Sequence, residues 1–388
     1  MRKELKILGE WCVKWAIKVN VGKCGIVHFR KRRVKRCEEE FRVNGERIGI
    51  LTENKYLGCV ISEHLDGKRM LEERAKAGAK ALSAWLKRCR ATVGLAKGES
   101  FTKLLGALVE SVLLYGAEVW GCGRHATLVE QIQLRAARIF LGVSRLHPKA
   151  ALQYEMKMMP VTWEAKRRCI EFWLTVLRMS DDRLVKRVVM ESLEMVGKTA
   201  WQKDLECGLE GFGWRDVGIE GLGRLSMTEI GHMLRDTAWR EVKKKWEAEA
   251  RERSKLEVMR GLLAIDGKRR CVDVNCKRRR RILAKLRGGT AALRIETGRW
   301  SGSKREERLC RQCGLEEVED VEHFLLRCEG WAQEREVVTA CMEDLAGESC
   351  MTDDRKVALI LDQACGSERV GKAVEKLWHC RFLQSSQA

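Results

Sequence analysis

Four residues near the C-terminal end have the types and spacing of a metal site. Cys310 and Cys313 are separated by two residues, His323 follows after nine more, and Cys328 after a further four. Three thiolates and one imidazole at this spacing can surround Zn²⁺ as a tetrahedron, and four protein ligands leave no open position for a reactive water. The apolar residues 324–326 lie between the last two ligands, as a small zinc module with little core of its own requires. The spacing therefore predicts a structural zinc site.

Chance is the alternative explanation for this pattern, because the chain contains 17 cysteines. In that case Cys310 and Cys328 would merely pack in a core. A competing ligand set that uses Cys271 and Cys276 has no histidine nearby and is disfavoured for that reason.

The second candidate site is the most basic window of the chain, residues 267–287, which contains ten Lys/Arg residues and one acidic residue. Guanidinium groups match the geometry of phosphate oxygens, and each neutralised phosphate adds affinity that decreases with salt. The window therefore predicts binding of an RNA or DNA backbone, whereas a nuclear-localisation tract or a solvated helix face would have the same composition. The candidate contact residues are Lys277, Arg278, Arg279, Arg280, Arg281, Lys285 and Arg287.

Paired carboxylates suited to two-metal catalysis are not evident in the sequence. Such catalysis needs clustered carboxylates that hold two cations about 3.5 to 4 Å apart. The pairs at residues 181–182 and 353–354 follow Ser180 and Thr352 and precede helical patterns, so N-capping and helix-dipole interactions explain them. The sequence therefore predicts no catalytic residue.

The distribution of charge indicates where a polyanion would bind. The 388-residue chain has a formal net charge of +20, but residues 310–388 carry 9 basic and 16 acidic residues, so residues 1–309 hold +27. This favours RNA or DNA as the partner of the first 309 residues. A solvated basic surface is the alternative, and the acidic C-terminal stretch suggests a protein partner.

Neither a secretory leader nor a membrane span is expected. The N-terminal residues 1–6 are charged, and the longest apolar run, residues 104–120, is interrupted by Glu110 and Glu118. Many cysteines without a secretory leader predict a reducing intracellular compartment, either nuclear or cytoplasmic.

Helices must position most of these residues. Proline occurs only twice, and Ala, Leu, Glu, Lys and Arg are abundant, which favours long helices. Apolar residues recur at helical spacing from Lys68, in residues 104–119 and 128–140, after Pro160, and in residues 227–259. Frequent glycines between about residues 201 and 226 predict a boundary or a loop-rich connector.

A small antiparallel β-sheet within residues 23–61 is the predicted exception. Residues 25–29 form one expected strand, residues 41–48 form a hairpin around Asn44-Gly45, and residues 56–61 form a further strand. Six basic residues between Arg30 and Arg36 lie in the loop between two strands. The predicted fold class is mainly α with a small N-terminal antiparallel β-sheet (α+β) and a small zinc-binding module.

Several segments together resemble the C-terminal half of a non-LTR (LINE-like) retrotransposon reverse transcriptase. In chain order they are residues 15–20 (WAIKVN) with Lys23, residues 55–58 (KYLG), residues 113–120 (LLYGAEVW), residues 296–300 (ETGRW) and residues 319–324 (EDVEHF). The resemblance implies that residues 14–29 form the palm segment called motif D, with its lysine at Lys23. It also implies a thumb from about residue 68 to residue 143, and it assigns the Cys/His residues to the zinc module downstream of such polymerases. Lys55, Tyr56, Leu57 and Gly58 are similar to the primer grip, which holds the end of the growing strand.

The resemblance also implies which parts the sequence lacks. The metal-binding Asp-Asp turn of the family should lie just N-terminal to residue 14, and the fingers and most of the palm should precede it. Without bound metals, no residue can activate a primer hydroxyl or stabilise the leaving pyrophosphate. We therefore expect a nucleic-acid-binding fragment that is not an enzyme on its own. The alternative is a helical protein-interaction scaffold stabilised by one structural zinc.

Four segments are predicted on this basis. They are a palm remnant at residues 1–62, a thumb-like helical bundle at 63–147, a helical connector at 148–266, and a C-terminal segment at 267–388 that combines the basic window, the zinc module and acidic helices.

Overall fold

The computed structural model describes residues 1–65, 67–92, 97–195, 197–214, 225–343 and 351–385, and most of them are helical. The helices of the N-terminal half are α1 (Arg2–Lys14), α2 (Lys68–Thr92), α3 (Gly98–Leu105), α4 (Ser111–Leu113), α5 (Ala117–Trp120), α6 (Thr127–Leu141), α7 (Lys149–Glu155), α8 (Val161–Leu177) and α9 (Leu184–Glu194). The C-terminal half adds α10 (Ala200–Gly211), α11 (Met227–Glu252), α12 (Glu257–Ala264), α13 (Lys277–Arg287), α14 (Arg294–Trp300), α15 (Ala332–Glu343), α16 (Asp353–Gly366) and α17 (Glu368–Ser385). The mainly helical class is confirmed.

The N-terminal strands form a mixed sheet and a separate hairpin. Strands β1 (Gly25–Val27), β2 (Phe41–Val43) and β3 (Glu46–Leu51) have the order β1-β3-β2. The pair β2–β3 is antiparallel around the predicted Asn-Gly turn, whereas β1 pairs with β3 in parallel. The expectation of a purely antiparallel sheet was wrong because residues 28–40 turn the chain before β2, so that β3 runs in the same direction as β1.

The hairpin consists of β4 (Glu53–Tyr56) and β5 (Cys59–Ser62), which are antiparallel. Residues 56–61 had been expected to form one strand. Instead, Leu57 and Gly58 have φ values of +45° and +82° and form the turn. Two consecutive residues of positive φ match the right-handed twist of the flanking strands, which is why such turns are favoured in two-residue hairpin loops.

The helical predictions hold with one interruption. Helices α2, α6, α8 and α11 lie where the periodicity predicts them. Residues 104–119 do not form one helix, because a π-turn at Gly106–Glu110 and a left-handed Gly116 (φ +75°) separate α3, α4 and α5. Glycine is suited to this position because a side chain at positive φ would be strained.

The glycine-rich connector is only partly described. Its first part, Ala200–Gly211, is helix α10, which begins at a capping box between Thr199 and Gln202. The expected loop therefore does not begin near residue 201, because the glycines of α10 are tolerated within a helix that packs on α8. Gly218, Gly221 and Gly223 lie outside the described residues.

Of the two paired carboxylates, only the second precedes a helix directly. Helix α16 begins at Asp353 after Thr352, with both acids in its first turn, although Thr352 makes no side-chain capping bond. Helix α9 begins at Leu184, so Asp181 and Asp182 lie in the preceding turn, and Asp181 pairs with Lys186 across 2.7 Å. The capping explanation was therefore wrong for the first pair.

Two hydrophobic cores organise the helices. The first contains side chains of α2, α3 and α6 together with side chains of α13, the Cys/His module, α16 and α17. The second is formed mainly by α8, α10, α11 and α12. Parts of the chain separated by more than 200 residues therefore share one core. Among the described helices, none combines the length and the apolar character that crossing a bilayer requires.

Candidate metal centre and nucleic-acid interface

The four predicted metal ligands meet at one point. The ligand atoms of Cys310, Cys313, His323 and Cys328 all lie within 4.8 Å of one another. The Sγ atoms of Cys310 and Cys328 are 3.7 Å apart, and the Sγ of Cys313 is 3.4 Å from Nε2 of His323. A tetrahedral site with zinc–sulfur bonds of about 2.3 Å has S–S edges of about 3.8 Å, so the donor set fits a metal ion of this kind.

Local backbone structure brings the four ligands together. A bridge between Leu309 and Val318 pairs the two sides of the first cysteine loop, and the backbone N–H of Cys310 donates to the carbonyl of Glu317. A π-helical turn at His323–Arg327 then spans the last two ligands. The wide turn leads the chain from His323 back to Cys328, whose N–H donates to the His323 carbonyl.

The surroundings of the ligands affect the protonation of the thiols and the orientation of the histidine ring. Burial raises the pKa of the Cys310 thiol, and burial together with the neighbouring Cys310 raises the pKa of Cys328. A thiol must lose its proton to bind a metal ion. The positive charge of a bound ion would stabilise the thiolates, which burial alone disfavours. His323 has its Nδ1 3.0 Å from Oε2 of Glu317. A carboxylate in that position orients the ring so that Nε2 faces the metal.

The last helix anchors the metal module to the main core. Arg381 on α17 donates to both carboxylate oxygens of Glu319, at 2.6 and 2.8 Å, and both side chains are buried. The ring of Phe324 meets that of Trp378 edge-on at 5.8 Å. Glu319 therefore stabilises the module against α17.

The competing ligand set does not assemble. Cys271 is buried with its Sγ 3.9 Å from that of Cys365, and Cys276 is exposed at the start of α13. The four residues of the original prediction are therefore the ones that the structure brings together, in a cluster that could hold a metal ion.

The basic window forms helix α13, but the fold uses several of its cations internally. Arg280 and Arg287 are each 1% exposed. Nε of Arg280 donates to the Phe140 carbonyl and its Nη1 to that of Val274, at 3.1 and 2.8 Å. Nε of Arg287 donates to Glu155 across 2.7 Å. Both guanidinium groups are thus enclosed and cannot reach a phosphate, so for these two residues the sequence-based prediction was wrong.

The remaining cations of α13 differ in their partners. Arg278 and Arg279 both lie within 4 Å of the Glu375 carboxylate on α17, at 3.6 and 3.3 Å. Lys277 and Arg281 are exposed and Lys285 is half-buried, and in the part of the chain that the structure describes no carboxylate lies within 4 Å of these three. The basic window is therefore much less positive at the surface than in the sequence.

The segment similar to a primer grip forms the tip of the β4–β5 hairpin. Lys55, Tyr56 and Leu57 are exposed, the last two at 62% and 72%. The hydroxyl of Tyr115 donates to the Leu57 carbonyl across 2.6 Å, and Nη2 of Arg74 donates to the Gly58 carbonyl across 2.7 Å. The tip is therefore fixed through its backbone while its side chains remain accessible.

This arrangement brings together two motifs that are separate in the sequence. Tyr115 belongs to the segment at residues 113–120, and the guanidinium of Arg74 lies 5.3 Å from the centre of its ring. The contribution of Arg74 was missed because a single arginine in a charged helix carries no distinguishing signal. Lys23, the expected motif D lysine, is exposed at the end of a short 3₁₀ turn, Val21–Lys23.

Comparison with known proteins gives one informative match. "RNA-directed DNA polymerase from mobile element jockey" of Drosophila funebris is 25% identical over 146 residues, which cover 37% of this chain and 15% of that protein. The chain is similar to a retrotransposon RNA-directed DNA polymerase. No protein-family model matches the chain, and no solved structure matches it. The match supports an origin related to reverse transcriptases, and it extends to only a small share of the relative's length.

Proposed function

We propose that this chain is a nucleic-acid-binding part of a retroelement reverse transcriptase, which holds an RNA or DNA strand without polymerising on its own. Its relative is an RNA-directed DNA polymerase, whose partners are nucleic acids. The observation that carries the proposal is the β4–β5 tip, where a fixed backbone presents a lysine, a tyrosine and a leucine to solvent.

The chemistry of this tip suits a nucleic-acid strand. Aromatic side chains stack on bases irrespective of sequence, and nearby lysines neutralise phosphates. Leu57 holds a left-handed backbone conformation that costs free energy for a non-glycine residue, and the bonds from Tyr115 and Arg74 maintain it.

The metal centre has a structural role in this proposal. Zn²⁺ is the ion that three cysteines and one histidine in this geometry select. Cys310, Cys313, His323 and Cys328 would hold it, and a closed four-ligand site supplies no reactive water. The metal would therefore fix the module beside α17 and leave the binding of the strand to side chains elsewhere.

The absence of polymerase activity is also part of the proposal. Two-metal phosphoryl transfer needs paired carboxylates, and one member of each Asp-Asp pair considered above is held in ion pairs: Asp181 with Lys186, and Asp353 with Lys356 and Arg327. We expect no primer extension by this chain alone. Extension after addition of a palm-containing chain would show that it completes a polymerase in trans.

Fluorescence anisotropy with a labelled single-stranded RNA and a DNA duplex tests the binding function. Affinity should fall by on the order of tenfold or more when salt rises from about 50 to about 200 mM, because bound phosphates release counterions. The double variant Tyr56→Ala/Leu57→Ala should weaken RNA binding about fivefold or more, since the loss of one stacked base costs about 1 to 3 kcal/mol.

Leu184→Ala is the matched control, because Leu184 is 73% exposed and lies on α9. It should leave the affinity unchanged. Equal affinities of the wild type and the tip variant would contradict the role of the tip, and failure of the wild type to bind either nucleic acid in dilute buffer would refute the proposed function.

The alternative function, a scaffold that docks a protein through the acidic C-terminal region, has less support. Glu319 is paired with Arg381, Glu375 with arginines of α13, and Asp362 accepts from the backbone of Arg269. These acidic groups stabilise the fold and are not free to recruit a partner.

A further inference from the structure

The C-terminal end of α6 and the middle of α13 are held against each other. The guanidinium of Arg280 lies 3.8 Å from the centre of the Phe140 ring and donates to the Phe140 carbonyl. Gly142 follows α6, and a Cβ atom at that position would lie 3.3 Å from Cγ and Cδ of Arg281. The side chain of Arg281 therefore lies across the end of α6.

Cations from both helices gather at this junction. Arg145 and Arg281 are exposed, and Arg138 and Lys285 are half-buried. Within the described residues no carboxylate lies within 4 Å of any of them, and the buried Nε of Arg138 has no hydrogen-bond partner there. We call this set the α6–α13 cluster: Arg138, Arg145, Arg281 and Lys285.

The members of the cluster are close enough to affect one another. Burial and the charge of Arg145 lower the pKa of Arg138, and burial and the charge of Arg281 lower the pKa of Lys285. His147 lies beneath them. Its pKa falls to about 3 because of burial and the charges of Lys255, Arg138 and Lys285.

His147 is therefore uncharged at neutral pH and adds nothing to the repulsion. Its Nδ1 lies 2.8 Å from the hydroxyl oxygen of Thr290, and its ring packs on Gly288, which directly follows α13. A second charged group faces the ring, since Lys255 reaches it from the segment before α12, but Lys255 is already paired with Glu296. Lys255 therefore differs from the four cations of the cluster, which have no carboxylate within 4 Å among the residues that the structure describes.

Neighbouring cations without acids raise the free energy of the folded state, and a bound polyanion would relieve that cost. Elsewhere on α13, Arg278 and Arg279 have a counter-charge, since both pair with Glu375. The unpaired charges are thus concentrated on the side of α13 that adjoins α6.

We propose that the α6–α13 cluster binds the phosphodiester backbone of the nucleic-acid strand, as a contact region separate from the β4–β5 tip. This inference rests on the proposed function. The cluster offers three arginines, two of them exposed, and a lysine, which suits phosphate oxygens and provides no means of reading bases. It therefore contributes affinity without sequence preference.

The test measures RNA affinity over a series of salt concentrations for the full chain and for the double variant Arg281→Gln/Lys285→Gln. For the variant, the slope of log affinity against log salt concentration should be smaller in magnitude by about 1.4, because each phosphate contact with a single strand contributes about 0.7. The variant should melt at or above the temperature of the wild type, because the repulsion is reduced. Tripolyphosphate should raise the melting temperature of the wild type more than that of the variant.

The control Lys103→Gln/Lys372→Gln removes the same charge from exposed lysines that are paired with Glu99 and Glu368. Its salt slope should match that of the wild type. If the double cluster variant is poorly folded, the exposed Arg281→Gln alone should still reduce the slope by about 0.7.

The outcomes separate the two proposals. If the wild type binds RNA and the cluster variants keep the same salt slope, the cluster does not bind the backbone, and the proposed function still stands. If the wild type binds neither RNA nor DNA, both the proposed function and the role of the cluster are refuted.

Discussion

At the scale of single residues, the buried pair Arg287–Glu155 shows how one cation of the basic window serves the fold. Glu155 on α7 accepts from Nε of Arg287 through one oxygen and from the backbone N–H of Cys271 through the other, at 2.7 and 2.8 Å. Nη1 of Arg287 donates to the Leu361 carbonyl on α16. One guanidinium therefore connects three helices that lie far apart in the sequence.

Arg287→Ala should lower the free energy of unfolding by about 3 to 5 kcal/mol, because it leaves the carboxylate of Glu155 buried without its counter-charge. Urea denaturation measures this loss. Arg281→Ala, on the exposed side of the same helix, is the control and should change stability by no more than about 0.5 kcal/mol. Equal stability of the two variants would show that Glu155 finds another partner.

At the scale of elements, a single carboxylate fixes the basic loop at residues 30–36. Glu63 lies just after β5 and is 7% exposed. It accepts from Nε of Arg30 at 3.2 Å and from Nε and Nη2 of Arg36 at 3.0 and 2.9 Å. The hydrogen bond from Arg36, followed by the charge of Arg30, holds the pKa of Glu63 below its usual value. Two of the six basic residues of the loop are thereby engaged in holding its shape.

The loop should become more mobile in acid. Because the folded pKa of Glu63 is depressed, its contribution to stability is fully present above the unfolded pKa of about 4.3 and is lost as the pH falls through the lower folded value. The protection of residues 30–36 against hydrogen exchange, relative to the intrinsic rate at each pH, should therefore be retained down to about pH 4 and decrease below it.

Glu63→Gln should reproduce that mobility at neutral pH, which limited trypsin digestion at the loop arginines would detect. Glu38→Gln, an exposed position in the same segment, serves as the control. Unchanged cleavage in Glu63→Gln would mean that other contacts hold the loop.

At the scale of the whole molecule, the metal module is continuous with the main core. Cys328, Phe324 and Trp331 belong to the same buried cluster as Phe140 of α6 and Leu377 of α17. A metal that holds the module closed would therefore also stabilise the packing of α6 against the C-terminal helices.

Removal of the metal should destabilise the chain well beyond the module. Structural zinc contributes on the order of 10 kcal/mol or more to folding in small modules. A chelator should therefore lower the melting temperature of the purified protein in one cooperative transition, with loss of one zinc by elemental analysis. Cys313→Ser should have the same effect, whereas Cys276→Ser, at an exposed cysteine outside the site, should retain both metal and stability. Stoichiometric zinc in Cys313→Ser would point to other ligands.

Periodicity and residue spacing were sufficient to predict the helical class, the hairpin around Asn44-Gly45 and the clustering of the four Cys/His residues. These features depend on residues close together in the chain, where side-chain period and turn chemistry act directly. The parallel pairing of β1 with β3 was not predictable in this way, because the order of strands depends on how the chain returns and not on the pattern within a strand.

The basic window is the clearest case in which the tertiary structure, and not the sequence, determined which charges are paired. The sequence groups ten cations in residues 267–287, but their partners come from elsewhere: Glu155 from α7 and Glu375 from α17. Arg281 instead lies against Gly142 at the end of α6, and Lys285 and Arg138 both lie near His147. Electrostatic free energy depends on distance and burial, so composition determined that this chain is basic, and folding determined which of its charges are paired or buried.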